Sequence, residues 1–240
     1  MQKLMKVSLA VLLVATTQID ATVLFSDGFE SGLSPEWVSK EPSQWIENGW
    51  LHQKDVDGWP RDALIITHDS DPNWINYHIS MVADFVEGSL SGYDPGKTWN
   101  NFTLVFRSDN FSRSSDGGTG RGYQLMFNGN SPDTNWQEGI RLQRNDYDTG
   151  SVAVLYEQPW SFGVDPMAID LSVNGNEINF TLDGTQVFDI IDPDPLPYGG
   201  VGFHTIWESE SRMDSITVVS TPASLWILVA PLGWLARKRS

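Results

Sequence analysis

Between Ile169 and Ile190 the chain reads IDLSVNGNEINFTLDGTQVFDI, and apolar and polar positions alternate almost without interruption. Ile169, Leu171 and Val173 fall on one parity, and Ile178, Phe180 and Leu182 on the other, which is the period of strands with one buried face. Asn174-Gly175 and Asp183-Gly184 separate the runs, and both dipeptides accept the positive φ of two-residue hairpin turns. A loop at Asn174-Gly175 sets Val173 opposite Asn176 and Leu171 opposite Ile178, so that the apolar residues share a face. At the second turn Val187 falls opposite Phe180, leaving Phe188 and Ile190 on the other face unless a bulge shifts them. The stretch predicts a three-stranded antiparallel meander.

The same alternation recurs along the chain. Trp45-Ile-Glu-Asn-Gly-Trp-Leu51 is a further Asn-Gly hairpin. Strands are predicted at Ala63–Thr67, Trp74–Phe85, Phe102–Arg107, Tyr123–Phe127, Ile140–Gln143, Val152–Tyr156, Val201–Phe203 and Ser215–Val219. No amphipathic helical stripe exceeds two turns between the two ends. About a dozen short strands joined by Gly, Asn, Asp and Pro turns predict an all-β, two-sheet antiparallel sandwich.

The ends carry a different pattern. Lys3 and Lys6 precede an apolar run from Val7 to Ala15, with small residues near Ala21, which predicts a secretory signal peptide over residues 1–21. At the other end Thr221-Pro222-Ala223-Ser224 leads into apolar Leu225–Ala236 and then Arg237, Lys238 and Arg239. Twelve to fifteen apolar residues barely reach across a bilayer, and the basic cluster would stay on its cytoplasmic side. The arrangement resembles the PEP-CTERM sorting signal of exported bacterial proteins, with Thr-Pro-Ala-Ser in place of the usual Pro-Glu-Pro. That resemblance implies transient membrane insertion, handling by an exosortase and delivery to the cell surface or an exopolysaccharide matrix. An ordinary C-terminal anchor is the plainer alternative. The expected organisation is therefore a leader (1–21), a sandwich (22–220) and a sorting segment (221–240).

Charge and composition narrow the partners. The 240 residues include no cysteine, so the fold uses no disulfide. The formal charge is -16. Five of the 15 basic and one of the 31 acidic residues lie in the two terminal segments, so the body carries 10 and 30, a net of -20. Such a surface repels nucleic acid and anionic lipid, and suits a neutral ligand or a divalent cation.

The order of signals in the body carries a second resemblance. An Asp-Gly-Phe-Glu segment (Asp27–Glu30) precedes Trp37 and the Trp45–Leu51 hairpin. Trp74 with Tyr77, then Phe106-Arg107, the meander with Leu182-Asp183-Gly184, Gly199-Gly-Val-Gly-Phe203 and Met213-Asp-Ser-Ile216 follow in turn. From Val23 to Val219 this resembles a concanavalin A-like lectin/glucanase jelly roll of the laminin-G-like kind. That family includes carbohydrate-binding modules, adhesion domains and glycoside hydrolases, so the fold leaves the function open.

The resemblance to calcium-bearing jelly rolls implies a structural Ca2+ where first and last strands meet, with Asp27, Glu30 and Asp214 as oxygen ligands. Their alternative is a solvated acidic rim. Of nine tryptophans in the body, Trp37, Trp45, Trp50 and Trp74 fall in strand patterns and are expected in the core. Trp59, Trp99, Trp136, Trp160 and Trp207 sit in polar or Gly/Pro contexts, where an indole can stack on a sugar ring while polar neighbours bond its hydroxyls. The segments Asp109–Gly122 and Asn128–Gly139 read as long polar loops of the kind that carry binding residues. Glu208 and Glu210, two apart, are the one pair with glycosidase-like spacing, but the longer acidic motif of the glucanases is absent. His52, His68, His78 and His204 show no metal-ligand spacing. The Asn-x-Ser/Thr sites at Asn101, Asn110 and Asn179 carry little meaning in a bacterium.

The expectation is an exported jelly-roll domain that binds a polysaccharide or glycoconjugate without transforming it. Two alternatives stay open: a sugar-cleaving enzyme of the same fold, and a structural matrix or adhesion protein without a small ligand.

Overall fold

The computed structural model describes residues 21–39, 44–54, 63–67, 74–86, 101–112, 119–128, 138–162, 166–205 and 210–221. Among them are fifteen strands and no helix. In chain order these are β1 (Val23–Asp27), β2 (Trp37–Ser39), β3 (Gln44–Glu47), β4 (Trp50–Lys54), β5 (Ala63–Thr67), β6 (Tyr77–Phe85), β7 (Asn101–Ser112) and β8 (Thr119–Asn128). They continue as β9 (Gly139–Asp146), β10 (Ser151–Pro159), β11 (Met167–Asn174), β12 (Glu177–Leu182), β13 (Thr185–Ile191), β14 (Gly200–Thr205) and β15 (Glu210–Ser220). One sheet runs β13-β12-β11-β6-β15-β4-β3, with β1 also on β15. The other runs β10-β9-β8-β7-β14-β5-β2. Every pairing is antiparallel, as the two-sheet jelly-roll sandwich requires. Among the described residues no helix is long and apolar enough to cross a membrane. The leader up to Asp20 and the tail from Pro222, including Ala223, Arg237, Lys238 and Arg239, lie outside the described residues.

The core lies between the sheets. Tyr77, Ile79, Met81 and Ala83 of β6 face Phe102, Leu104 and Phe106 of β7 and Tyr123, Leu125 and Phe127 of β8. Phe102 stacks on Phe127 at 4.3 Å, and Phe127 meets Phe180 edge-on at 5.8 Å. Such aromatic pairs add specific geometry to the apolar burial that holds the layers together.

The meander is present, with its first turn displaced by one residue. Asn174 pairs with Glu177, so the loop is Gly175-Asn176, and Val173, Leu171 and Ile169 lie opposite Ile178, Phe180 and Leu182. This register sets three apolar pairs directly across from one another, whereas the expected one left Val173 against Asn176. At the second turn Asp183 and Gly184 both take positive φ, 50° and 73°. A shift between Phe180 and Thr181 then brings Phe188 opposite Phe180 and turns Phe188 into the core. The bulge that would rescue Phe188 is therefore the one the chain makes.

Three other expectations change. Trp37 and Trp74 are buried, but Trp45 is 37% exposed and Trp50 is half-buried. In the β3–β4 hairpin Ile46 pairs with Leu51 toward the core, so Trp45 and Trp50 alternate outward. The loop predicted at Asp109–Gly122 is shorter, because β7 continues to Ser112 and β8 begins at Thr119. Arg107 and Asn110 adopt φ of 45° and 52°, and these irregularities carry β7 past its polar residues without ending it. Finally, the predicted loop at Asn128–Gly139 starts and ends inside strands, with 129–137 outside the described residues.

Candidate functional site

The two ends of the sandwich differ. At one end a buried polar network fastens the Pro-rich crossover between β13 and β14. The Arg107 guanidinium donates to the carbonyls of Leu196 at 2.8 Å and Ile75 at 2.9 Å. The Tyr77 hydroxyl accepts the Arg107 N–H at 2.7 Å and donates to the Gly199 carbonyl at 3.2 Å. These groups are consumed by the fold.

At the opposite end lie the described residues that flank four of the segments with predicted aromatic residues. Lys54 pairs with Glu210, Ala63 with Thr205, Thr205 with Phe102, and Asn101 with Asn128. Asn128 pairs in turn with Gly139 and Gly139 with Pro159, while the Val86 N–H donates to the Glu210 carbonyl. These described residues flank the segments that contain Trp59, Trp99, Trp136 and Trp207, and it is the flanks that share one end. The four tryptophans themselves lie outside the described residues, as do Glu208 and His68. Trp160 is described at the same end: it is half-buried against the core, and its N–H donates to the Glu138 carbonyl at 3.1 Å. Phe162 follows, packed on Phe85 and Phe127, with its N–H on the Glu138 carboxylate at 2.8 Å.

Next to that end lies the outward face of the β10-containing sheet. Its cross-strand rows follow from register. One row is His204, Thr103, Met126, Arg141 and Glu157; the next is Gly202, Val105, Gln124, Gln143 and Val154. Gly122, Asn145 and Val152 form a third. Thr103, Gln124, Asn145 and His204 are all buried, although they face away from the core. Phe111 packs on Val105 with Tyr147 beside it, and a side chain at Gly122 would meet the Phe111 ring at 3.0 Å. The Gln124 Oε1 accepts from Gln143 Nε2 at 2.7 Å and from Asn145 Nδ2. Gln124 Nε2 and Asn145 Oδ1 are buried without a hydrogen-bonding partner. Sequence reasoning passed over this face because its residues sit inside strands, where a polar parity ordinarily means water. The clue in the sequence is that Gln124, Gln143 and Asn145 are amides rather than charged residues.

The proposed metal ligands are not brought together. β1 does lie against β15, but Asp27 is opposite Ile216, and Asp214 sits farther along at the bulge between Met213 and Ser215. Both Asp27 oxygens are occupied: Oδ1 accepts from Phe29 N–H, and Oδ2 from Ser34 N–H and the Trp37 indole, each at 2.9 Å. Glu30 is exposed, with its carboxylate against Gly49 of the β3–β4 turn. Among the described residues no group of three His, Cys, Asp or Glu side chains could hold a metal ion. The three carboxylates do not fit a calcium site, because the first of them closes a turn.

Glu210 is likewise committed. It lies 3.3 Å from His52 Nδ1 and 3.4 Å from Lys54 Nζ, on the outer face of the other sheet. There Trp45 stacks on His52 at 5.1 Å, and Arg212 lies 4.5 Å over Trp50 while binding Asp84 at 2.6 Å. His78 bonds Ser172, Ser80 and Asp170 on that face.

No protein-family model matches the chain, and no curated protein matches it by sequence. Solved structures match its shape. A carbohydrate-binding module, CBM66, from Bacillus subtilis aligns with a TM-score of 0.57 at 16% identity, over 77% of this chain and 96% of that one. The exoplasmic/lumenal domain of VIP36, in a Ca2+/Man3GlcNAc-bound form, aligns with a TM-score of 0.60 at 12% identity, over 82% and 88%. The GH43 protein BlXynB from Bacillus licheniformis aligns with a TM-score of 0.54 at 13% identity, over 82% of this chain and 39% of that one. At these identities the likeness is one of fold: the chain is a two-sheet jelly roll of the galectin-like and concanavalin A-like kind.

Proposed function

We propose that this protein binds a neutral carbohydrate, without cleaving it, on the outward face of the β10-containing sheet and the adjoining end of the sandwich. The observation that carries the reading is the open edge of that face, where Val152 and Val154 are exposed beside the half-buried amide of Gln143. Neutral amides suit hydroxyls, and the acidic chain disfavours an anionic polymer. That Trp160 and the flanks of four further tryptophan-bearing segments share one end supports a sugar-stacking rim beside the face. Solved neighbours described as a carbohydrate-binding module and as a mannose-oligosaccharide complex support the same class of ligand. The non-catalytic reading is supported by the contacts of Glu210 with His52 and Lys54, and by Glu157 being the one carboxylate in the three rows described.

The export part of the reading rests on the sequence. The leader over 1–21 and the basic-ended tail over 221–240 direct the domain to the cell surface or a polysaccharide matrix, with an exosortase acting on the tail. Deleting residues 221–240 should release the protein from the envelope fraction, and unchanged fractionation refutes that part. The ligand is tested by affinity electrophoresis through gels cast with neutral polysaccharides, with and without calcium. Retardation by at least one glycan is expected, and none by any would overturn the binding function.

A further inference from the structure

Resting on the carbohydrate reading, the other sheet offers a second surface on which a sugar can lie. β3 and β4 meet at the Asn48-Gly49 turn, and the hairpin sends Ile46 and Leu51 inward, so Trp45, Glu47, Trp50 and His52 face out. Register sets one outward row in order: Trp45 on β3, His52 on β4, Arg212 on β15 and Asp84 on β6. Arg212 binds Asp84 at 2.6 Å and covers the ring of Trp50. His52 is held by Glu210, and Glu210 in turn by Lys54. These groups are spent on one another.

Trp45 is not. Its indole lies nearly parallel to the His52 ring, with 19° between the planes and 5.1 Å between centroids, and its N–H donates to the Glu47 carboxylate at 3.5 Å. One face and the polar edge of the indole are thereby fixed. The other face looks away from His52, past the margin of the sheet, because among the described residues no strand pairs with the far side of β3. At 37% Trp45 is the most exposed of the described tryptophans. A flat apolar face held rigid, with a carboxylate at its edge, matches a pyranose ring: the ring C–H groups stack on the indole and a hydroxyl donates to Glu47. Glu30 lies against the same turn, so the site is negative and disfavours a polyanion. A second copy of this acidic chain is disfavoured there for the same reason.

The place of Trp45 relative to the open edge of β10 decides what two such surfaces do together. Tyr156 of β10 packs on Phe188 of β13 at 4.7 Å, so β10 and β13 share one margin of the sandwich. β3 ends the β13-containing sheet at the opposite margin. Val152 and Val154 face outward from one sheet, and Trp45 from the other. The two surfaces therefore occupy diagonally opposite corners and look in opposite directions, and an extended glycan lying on one does not reach the other.

We propose that Trp45, backed by His52 and edged by Glu47, is a second stacking site for a neutral sugar ring, and that together with the β10 face it lets one molecule bridge two polysaccharide chains.

The experiment captures the full chain on beads coated with a neutral glucan or a neutral mannan, then offers the same polymer in soluble, fluorescently labelled form. Trp45→Ala, Trp45→Leu and Trp45→Phe are run beside it, with Tm and sedimentation velocity measured on each. The wild type should take up the labelled chain. Trp45→Ala and Trp45→Leu should still reach the beads through the β10 face but take up about tenfold less label or lower, with Tm little changed because an exposed side chain has been exchanged. Trp45→Phe keeps a flat ring and should retain much of the uptake, which separates stacking from a folding defect. Equal uptake by all four proteins overturns the proposal, as does equal loss in Trp45→Phe and Trp45→Leu. A wild-type dimer that Trp45→Ala abolishes also overturns it, since the indole then meets a second copy. If the wild type holds to the beads but takes up no second chain, the bridge fails and the carbohydrate function stands; if it binds no bead, the carbohydrate function fails and the bridge with it.

Discussion

The hydroxyl of Tyr123 donates to the carboxylate of Asp192 across 2.6 Å, and this one bond ties the middle of β8 in one sheet to the end of β13 in the other. The same hydroxyl accepts the Leu196 N–H at 3.1 Å, so the crossover is held at a second point. Arg144 completes the knot, with its guanidinium 2.6 Å from Asp192 and 3.1 Å from Asp194. Tyr123→Phe should remove a donor and an acceptor together while keeping the ring that stacks on Phe106 at 4.9 Å. A loss of roughly 2–3 kcal/mol in urea unfolding is expected, and a change below about 0.5 kcal/mol would show that the crossover does not depend on it.

The acid limb of stability should follow Asp192. Burial alone would raise its carboxyl, but bonds from the Tyr123 hydroxyl, the Asp194 N–H and Arg144 outweigh burial and hold it below the usual carboxylate range. The unfolded chain then binds the proton more tightly than the folded one. The stabilisation is complete above the unfolded carboxylate value of about 4 and is lost as pH falls through the lower folded one. Asp192→Asn should flatten this part of the curve between pH 5 and 2, as a denaturation series would show.

The alkaline limb has the opposite sign. Burial raises the phenols of Tyr77 and Tyr123 well above their ordinary value, and the bond to Asp192 adds to the effect at Tyr123. Their contribution is whole below the unfolded phenol value of about 10 and is lost as pH rises beyond it. Tyr77→Phe should make the protein less stable at pH 7 and less sensitive to pH above 10.

Gly199 offers a backbone test. It sits at a φ of 133°, and an added Cβ would collide with the carbonyl of Ser108. Gly150, at a φ of 70°, has open space around it. Gly150→Ala should cost about 1 kcal/mol from conformation alone, and Gly199→Ala clearly more, because β7 must shift as well. Equal losses of Tm in the two variants would count against the close approach.

Asp27 separates a turn clasp from a metal ligand. Asp27→Ala deprives the Phe29 and Ser34 N–H groups and the Trp37 indole of their acceptor, for a loss of about 2–4 kcal/mol. The loss should be the same in EDTA and in millimolar calcium, and chelation should leave the wild-type Tm unchanged. A calcium-dependent Tm abolished by Asp214→Ala would restore the metal site.

Much of the architecture is written in period-2 alternation, because each strand buries one face and a slip of one residue would expose it. That is why β11 and β12 fall where the meander predicts them, while the Asn48-Gly49 and Asp183-Gly184 turns take the positive φ their residues accept. Alternation is mute where both parities are apolar. In WIENGWL either face could be the core, and only packing against β15 turns Ile46 and Leu51 inward and leaves Trp45 on His52. It is mute again at Arg107, a charged residue that reads as surface. A φ of 45° reaims its side chain into the interior, where carbonyls of Ile75 and Leu196 receive it.

By itself, then, the order of apolar and polar residues determined the fold class, the strands, two of the hairpin turns and the acidic, cysteine-free character of the surface, since these depend on local period and composition. The tertiary structure alone decided which carboxylates are spent on turns, which tryptophans face water, and that Gln124 and Asn145 stand side by side with one unused atom each. Those outcomes depend on pairings between residues far apart in the chain, and a linear pattern carries the parity of a side chain but not the neighbour it will meet.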